Sequence, residues 1–532
     1  MHASDLSPAP LARRRAAPTA ARAAVGRTWK ALGWTAGAAA VFALYLRIAT
    51  AGTTSSDPAN NAMQAWDMLH GHLLLHGWIL GDVTFYTFEL PLMALAELIF
   101  GLHTIAVHVT VALVLLIVTG CAVAIAVTDS RGAARVVRAG VVVAVLAAPA
   151  LVVSDFWITL GFPDHTGTIV FLLVACLLID RAFNVRYSAP LLCAVLVAGQ
   201  IGDVTVRYVT VPAVIVVCAY RVLAARKLRT RDAANLVAAA VSLPLATGVR
   251  ALMLHLGAYQ MDPPQTRIAP YSQWGQNAAY TWHSLRMLFG TVAEPNTGSA
   301  GRTAIFGFAC LAVATAGGGR VLWRWRRARR AEQLLLVAIV INIVVYLIST
   351  VPTPETPHDI VGVLAAGAIL GARALVPDRL RGRRTALAAV SAAVIAALLP
   401  LSLTATRATQ VPPLAGLTAW LKAHGLRYGL GGYWNGSAVT LQSGDQVRVR
   451  SVVVIGGQIT PDPWENNTAF FDPSQHYANF VVFHVADTDL GANMEGLFGK
   501  PVSASRVGNF DVLIYDWNVL QVVRPPVLNS PG

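Results

Sequence analysis

Along this chain, apolar runs of about 20 residues alternate with short polar breaks, the length a helix needs to cross a bilayer. The runs fall at 31–50, 102–127, 139–153, 167–181, 189–202, 205–224, 235–257, 303–319, 332–351, 360–376 and 386–404, an eleven-span bundle whose third and fifth members are short. One break is long. Within it DPANNAMQAWDMLHG reads as a helix, with Asp57 as N-cap and Pro58 in the first turn. FELPLMALAELIFGL follows, apolar at helical spacing, and suits a helix on the membrane surface or over the mouth of the bundle. After about residue 405 the pattern becomes that of a water-soluble unit. PPLAGLTAWLKAHGL predicts a helix ending at Gly425, GANMEGLFG a short helix, and VRVRSVVVI, ANFVVFHVA and NFDVLIYDW predict strands of one sheet. GLRYGLGGYWNGS lacks both a Walker lysine and GxGxxG spacing and reads as a turn-rich loop. Its Tyr433 and Trp434, with Trp464, suit core packing or stacking on a sugar ring.

Composition agrees with this pattern. Of 532 residues, 55% are hydrophobic and only 13% charged, with a mean hydropathy of +0.56, which excludes an ordinary soluble globule. All five cysteines (Cys121, Cys176, Cys193, Cys218 and Cys310) lie in expected spans and act as small apolar residues, so the tail has no disulfide or cysteine-based zinc framework. The first span follows Arg13, Arg14 and Arg15 without a small-residue cleavage site, as a retained signal-anchor does.

Charge sets the orientation. Of 41 Lys and Arg, 27 lie in the N-terminal segment and in 131–138, 181–186, 221–231, 320–330 and 373–384, all on one side of the eleven-span arrangement. Cytoplasmic loops retain such residues, so the N-terminus is expected inside. The loops 51–101, 154–166, 258–302 and 352–359 and the tail are expected outside. The net charge of +14 is mostly this topology signal; RVLWRWRRARR is a loop between spans rather than a nucleic-acid site. The expected organisation is a basic cytoplasmic segment (1–29), a helical membrane domain (30–404) and an extracytoplasmic α/β domain (405–532).

The outer face then holds the candidate chemistry. Residues 53–91 contain Asp57, Asp67, Asp82 and Glu89 and no Lys or Arg. Export disfavours cations there, but acids count little for topology and need another reason. SDFWITLGFPDHTGT supplies Asp155, Asp164 and His165; GQIGDVTVRYV supplies Asp203 and Arg207, expected on one helical face; PTPETPHDI supplies Glu355, His358 and Asp359. Arg250 is placed roughly two turns inside the outer end of the seventh span, where an ionisable group is a functional candidate or snorkels to the headgroups. Arg267, Arg286 and Arg302 lie in or just after the next outer loop. Carboxylates and arginines at one boundary plane suit sugar transfer from a polyprenyl phosphate. A carboxylate takes the acceptor's proton, and cations hold the departing phosphate.

On these residues the chain resembles the GT-C superfamily of membrane glycosyltransferases, nearest to the protein O-mannosyltransferases and the lipid A aminoarabinose transferases. Such proteins carry an Asp in the first outer loop, a Gly-containing amphipathic helix and a Pro-Leu stretch opening a second surface helix. The counterparts here are Asp57, AMQAWDMLHG and FELPLMALAELIFGLH, with Asp164 in PDHTGTIVFLLVACLL as a further acid. The likeness is clearest over residues 30–200. It implies Asp57 as catalytic carboxylate and Asp164 as supporting acid, with Glu89, His165, Asp203, Arg207, Arg250 and His358 as substrate-binding candidates. It also implies a polyprenyl-phosphate sugar donor and a glycan, protein or lipid acceptor. In one respect the chain departs: aminoarabinose transferases place a lysine before the Pro-Leu stretch, and this chain has Glu89. Arg207, Arg250 or a loop arginine then takes the phosphate, a divalent cation bridges it to Asp57, Glu89 and Asp164, or activity is lost. A transporter or lipid flippase is the rival from another class, although no internal repeat supports it. A non-catalytic scaffold presenting the tail is the third reading.

Overall fold

The computed structural model describes residues 17–151, 165–180, 185–225, 230–261, 266–292, 300–406, 409, 411–412, 414–486 and 494–524. Its helices, in order, are α1 Ala17–Ala51, α2 Ser56–Leu69, α3 Glu89–Phe100, α4 Thr104–Ala126, α5 Ala133–Leu146, α6 Thr168–Asp180, α7 Val185–Gly202, α8 Val211–Leu223, α9 Thr230–His255, α10 Trp274–Leu288, α11 Ala300–Trp323, α12 Arg330–Ile348, α13 Val361–Leu375, α14 Arg383–Ala405, α15 Ala415–Ala423, α16 Tyr433–Gln442 and α17 Met494–Phe498. Among the described residues eight helical segments are long and apolar enough to cross a membrane, those of α1, α4, α8, α9, α11, α12, α13 and α14. The other three expected spans coincide with α5, α6 and α7, of 14, 13 and 18 residues. Leu245, Leu252, Ile305, Val340, Ile395 and Leu399 point outward from the long helices, as lipid-facing side chains do. At the centre lies α13, buried almost along its whole length. It packs closely on α11 through small residues: a methyl on Gly367 would come within 2.8 Å of Ala314 Cβ, leaving room for no larger side chain.

The cationic loops meet at one end of the bundle. Arg138 donates to the carbonyls of Ala126 and Val376 and pairs with Asp378 at 2.8 Å. Arg373 pairs with Glu332 at 2.7 Å and donates to the Ile125 carbonyl. Arg329 reaches Asp180 at 3.1 Å, and Arg330 reaches Asp232 at 2.6 Å. These contacts lie at the C-terminal end of α4. Its N-terminal neighbour His103 instead abuts Gly444, after α16, so the length of α4 separates the basic loops from the C-terminal region.

At that second end the acid-bearing loops are stitched together. Strand β1 (Trp78–Leu80), from the first long loop, pairs in parallel with β2 (Gln260–Met261) after α9, Ile79 opposite Gln260. On its other edge it runs antiparallel to β6 (Asn466–Asn467), Trp78 opposite Asn467. A further bridge joins Val83 to Asp203, and another joins Ile268 to Ser349.

The C-terminal region is a six-stranded mixed sheet, order β5-β4-β3-β7-β9-β8, of β3 Tyr428–Gly431, β4 Arg448–Ile455, β5 Gln458–Pro461, β7 Phe480–His484, β8 Ser503–Val507 and β9 Phe510–Ile514. The expected strands and helices form. The Gly-rich segment expected as a loop does not: it is β3, in the middle of the sheet, followed at once by α16. Leu430 pairs with both Arg450 and Val481. Glycine is required because the Phe480 ring occupies the space where a Gly429 side chain would go. The three expected strands, β4, β7 and β9, share this one sheet, while β6 leaves the region to join β1.

Candidate active site

The start of α2 carries the first cluster. Ser55, not Asp57, is the N-cap, and Asp57 lies in the first turn, half-buried, where the amino end of the helix favours its negative charge. Its partner comes from 376 residues away: the Tyr433 hydroxyl, at the first position of α16, donates to Asp57 Oδ1 at 2.5 Å. The same hydroxyl lies 3.2 Å from Glu465 Oε2. The Asn60 amide, one turn along α2, reaches both the Tyr433 oxygen and Glu465 Oε2 at 3.4 Å. Ser56 donates to the Tyr433 carbonyl at 2.5 Å. The Tyr433 hydroxyl thus serves two carboxylates, while its ring meets that of Trp434 edge-on at 5.1 Å. Burial, then the charges of Glu465 and Asp57, push its phenol far above the ordinary value, so it stays a neutral donor. Two carboxylates, a phenol and an amide converge at the seam between α2 and the C-terminal region. Sequence reasoning reached Asp57 but gave no sign of Glu465, whose only local mark is a left-handed backbone at φ +46.

Trp464, next to Glu465, lies with its indole against Gly81, where an added methyl would come within 2.7 Å of the ring. Residues 81–87 run from there to a second cluster. Thr84 donates to the Ile201 carbonyl at 2.7 Å, and Val83 bridges Asp203. Buried Asp203 meets His165 Nδ1 at 2.7 Å and the Thr168 hydroxyl through Oδ2; its Oδ1 accepts the Thr205 N–H at 2.7 Å. Burial pushes the Asp203 carboxyl up, and the His165 charge with the His165, Thr168 and Thr205 hydrogen bonds outweighs it, leaving the group below its ordinary value. His165 Nε2 is 3.2 Å from Asp359 Oδ1, and the rings of His165 and His358 stack at 5.8 Å. Glu89, at the first position of buried-side α3, is itself buried and presses its carboxylate against Gly167 in this neighbourhood.

So His165, Asp203, His358 and Glu89 come together as a group. Asp164 lies outside the described residues. The expected shared face for Asp203 and Arg207 is not formed: Asp203 precedes the helix and is buried, whereas Arg207 lies in a π-helical segment, Val206–Thr210, and is exposed. Between them the backbone makes tight three-residue turns, Val206 N–H to Asp203 and Arg207 N–H to Val204, so the four-residue relation of a helix is not kept. Arg250 stands five residues before α9 ends, with its guanidinium 5.3 Å from the centre of the Tyr259 ring and 3.2 Å from its hydroxyl. Asp67 has a structural task, accepting the Trp78 indole N–H at 2.8 Å. The α3 helix is apolar on both sides: Leu95, Leu98 and Ile99 face outward, as in a helix touching lipid, while Glu89 and Glu97 are buried beside Leu90, Met93 and Ala96.

With this geometry in view, comparison with solved structures is informative. The structure of ArnT from Cupriavidus metallidurans in the apo state superposes with a TM-score of 0.56, covering 93% of this chain and all 100% of that one at 15% identity. The chain has the ArnT fold. The same protein bound to undecaprenyl phosphate matches with a TM-score of 0.57, covering 93% of this chain and 99% of that chain at 15% identity. The mycobacterial arabinofuranosyltransferase AftD is also found, with a TM-score of 0.45 and 16% identity, covering 90% of this chain and 41% of that one. No family model matches the sequence, and no curated protein does. The match is one of fold: a bundle with eight apolar helices of membrane-spanning length among the described residues, followed by a mixed α/β sheet.

Proposed function

We propose that this chain is a membrane glycosyltransferase that moves a sugar from a polyprenyl-phosphate donor to a hydroxyl on the outer face of the membrane. The observation that carries the reading is the half-buried carboxylate of Asp57, poised at a helix start beside Tyr433 and Glu465 in a protein with the ArnT fold. In the reaction Asp57 takes the proton of the acceptor hydroxyl while that oxygen attacks the anomeric carbon. The bond from that carbon to the phosphate oxygen breaks, and the polyprenyl phosphate leaves with the electron pair. Tyr433 holds the carboxylate in place. Asp164 is the proposed supporting acid, and Arg207 and Arg250 are the cations proposed for the phosphate. The eleven-span topology, N-terminus inside and C-terminal region outside, belongs to the same proposal. It is supported by the collection of basic loops at one end of the bundle and of β1, β2 and β6 at the other.

Asp57→Asn tests the reading. The variant should insert and fold as the parent does and lose transfer of radiolabelled sugar from polyprenyl phosphate by about 10²- to 10⁴-fold. Undiminished transfer removes Asp57 from the role of base. Gradient-driven uptake by the parent in proteoliposomes, without sugar transfer, would instead indicate a transporter; the lodging of Arg250 against Tyr259 gives that reading little support.

A further inference from the structure

One face of α15 closes a core and the next overhangs a gap. Leu414, Leu417 and Leu421 pack into the sheet of the C-terminal region. Ala415, Thr418, Ala419 and Lys422, at helical spacing, share a neighbouring face and line a cavity of about 480 Å³. Thr104, the first residue of α4, and Gln442, the last of α16, line the same cavity. Lys422 also lines a second cavity, of about 610 Å³, with Arg427, Asp445 and Arg448, so the two adjoin at its side chain. Arg448 is answered by Asp445 at 2.6 and 2.9 Å. Lys422 and Arg427 have no side-chain partner among the described residues, which leaves the joint with two uncompensated cations. Small residues on a helix face make space without asking for a ligand; Thr418 asks for one. It is 6% exposed, and its hydroxyl has no hydrogen-bond partner among the described residues. The helical threonines Thr110, Thr281 and Thr404 each donate to the carbonyl four residues back, the usual outlet for such a hydroxyl. Thr418 does not, and Gln442 Oε1 is likewise buried without a donor. A buried hydroxyl and a buried amide oxygen are costly to leave unpaired unless something else meets them.

We propose that this groove holds the headgroup of an anionic phospholipid of the phosphatidylglycerol class, at a site separate from that of any sugar donor. The phosphate takes the Lys422 ammonium and the Thr418 O–H, with Arg427 adding positive potential from the adjoining cavity. Gln442 Oε1 can only accept, so it selects a headgroup that carries hydroxyls of its own. What borders the groove favours a lipid over a soluble anion. Thr104 opens an apolar helix of membrane-spanning length. Just before it α3 ends in the exposed side chains of Leu98, Ile99 and Phe100, a surface for acyl chains. A zwitterionic headgroup would set its own cation against Lys422 and Arg427. The inference needs α4 in a membrane, and it needs neither Asp57 as a base nor sugar transfer.

The test uses the full chain, delipidated in detergent and titrated with phosphatidylglycerol or phosphatidylcholine in mixed micelles. Thermal unfolding and native mass spectrometry are the readouts. Phosphatidylglycerol should raise the unfolding temperature saturably and stay bound as a single molecule; phosphatidylcholine should do neither. Lys422→Gln should weaken binding by about 5- to 10-fold. Thr418→Val should weaken it by about 10-fold. Lys500→Gln, which removes an exposed cation elsewhere in the same region, should bind as the parent does. Without lipid, Thr418→Val should be at least as stable as the parent, because valine removes the unpaired hydroxyl; a purely structural threonine would lose stability there. Equal effects of the two lipids overturn the proposal, as does parental affinity in both Lys422→Gln and Thr418→Val. Soluble glycerophosphoglycerol binding as tightly as the lipid overturns the assignment to a membrane source. Sugar transfer is not the readout, so failure here leaves the transferase reading standing, and undiminished transfer in Asp57→Asn leaves this one standing.

Discussion

Replacing Tyr433 by Phe removes one oxygen and little else, and its consequence can be worked through. In the parent that hydroxyl donates to Asp57 Oδ1 at 2.5 Å and lies 3.2 Å from Glu465 Oε2, so it stabilises the charged form of the pair. A hydrogen bond to a charged group contributes about 1.5–3 kcal/mol, and one unit of pH corresponds to about 1.4 kcal/mol. Loss of the donor disfavours the ionised carboxylate. The acid limb of the pH profile of kcat/KM should therefore move upward by about one to two units. On the acid limb sugar transfer should fall by about 10- to 100-fold at a given pH, and well above the limb it should approach the parent rate. The assay is transfer from polyprenyl-phosphate sugar in proteoliposomes across pH 5 to 9, with Asp57→Asn alongside as the inactive reference. An acid limb that stays in place would refute the reasoning. A loss equal to that of Asp57→Asn at every pH would make Tyr433 a proton-transfer group rather than a positioning one.

Three further outcomes follow from single contacts. Glu97 is buried in α3 with neither carboxyl oxygen hydrogen-bonded, and burial pushes its carboxyl up to about 9. The folded protein then holds a proton that the unfolded chain loses above about pH 4.3, so this group's contribution is full at low pH and declines as pH rises towards 9. Glu97→Gln should raise thermal stability in detergent at pH 7 to 8, by an order of a few kcal/mol, and make little difference at pH 4; a constant offset would refute this. Gly81→Ala puts a methyl within 2.7 Å of the Trp464 ring and should cost about 1–3 kcal/mol, read as faster limited proteolysis at the junction of β1 and β6. Arg138→Met removes the donors that hold the carbonyls of Ala126 and Val376 and should cost about 1–3 kcal/mol in thermal unfolding while leaving the pH profile of transfer unchanged.

The sequence by itself determined the elements and which basic loops share an end of the bundle. Apolar length marks spans because a bilayer leaves backbone groups no partner but their own helix, and 27 of 41 basic residues in a few loops mark one end. Alternation in VRVRSVVVI and its fellows marks strands because side chains in a sheet point to opposite faces. These signals are local, and each acts within a turn or two of its own residues. What pairs with what was decided only by the tertiary structure. Asp57 was legible as a boundary acid, yet its partners Tyr433 and Glu465 come from beyond the last span, brought in by β6 pairing with β1. The Gly-rich segment read as a loop because glycine favours turns in isolation; only the Phe480 ring beside Gly429 makes it a central strand. The burial of Glu89 and Glu97 in α3, with Leu95, Leu98 and Ile99 exposed, is likewise set by what packs against the helix and not by its own residues.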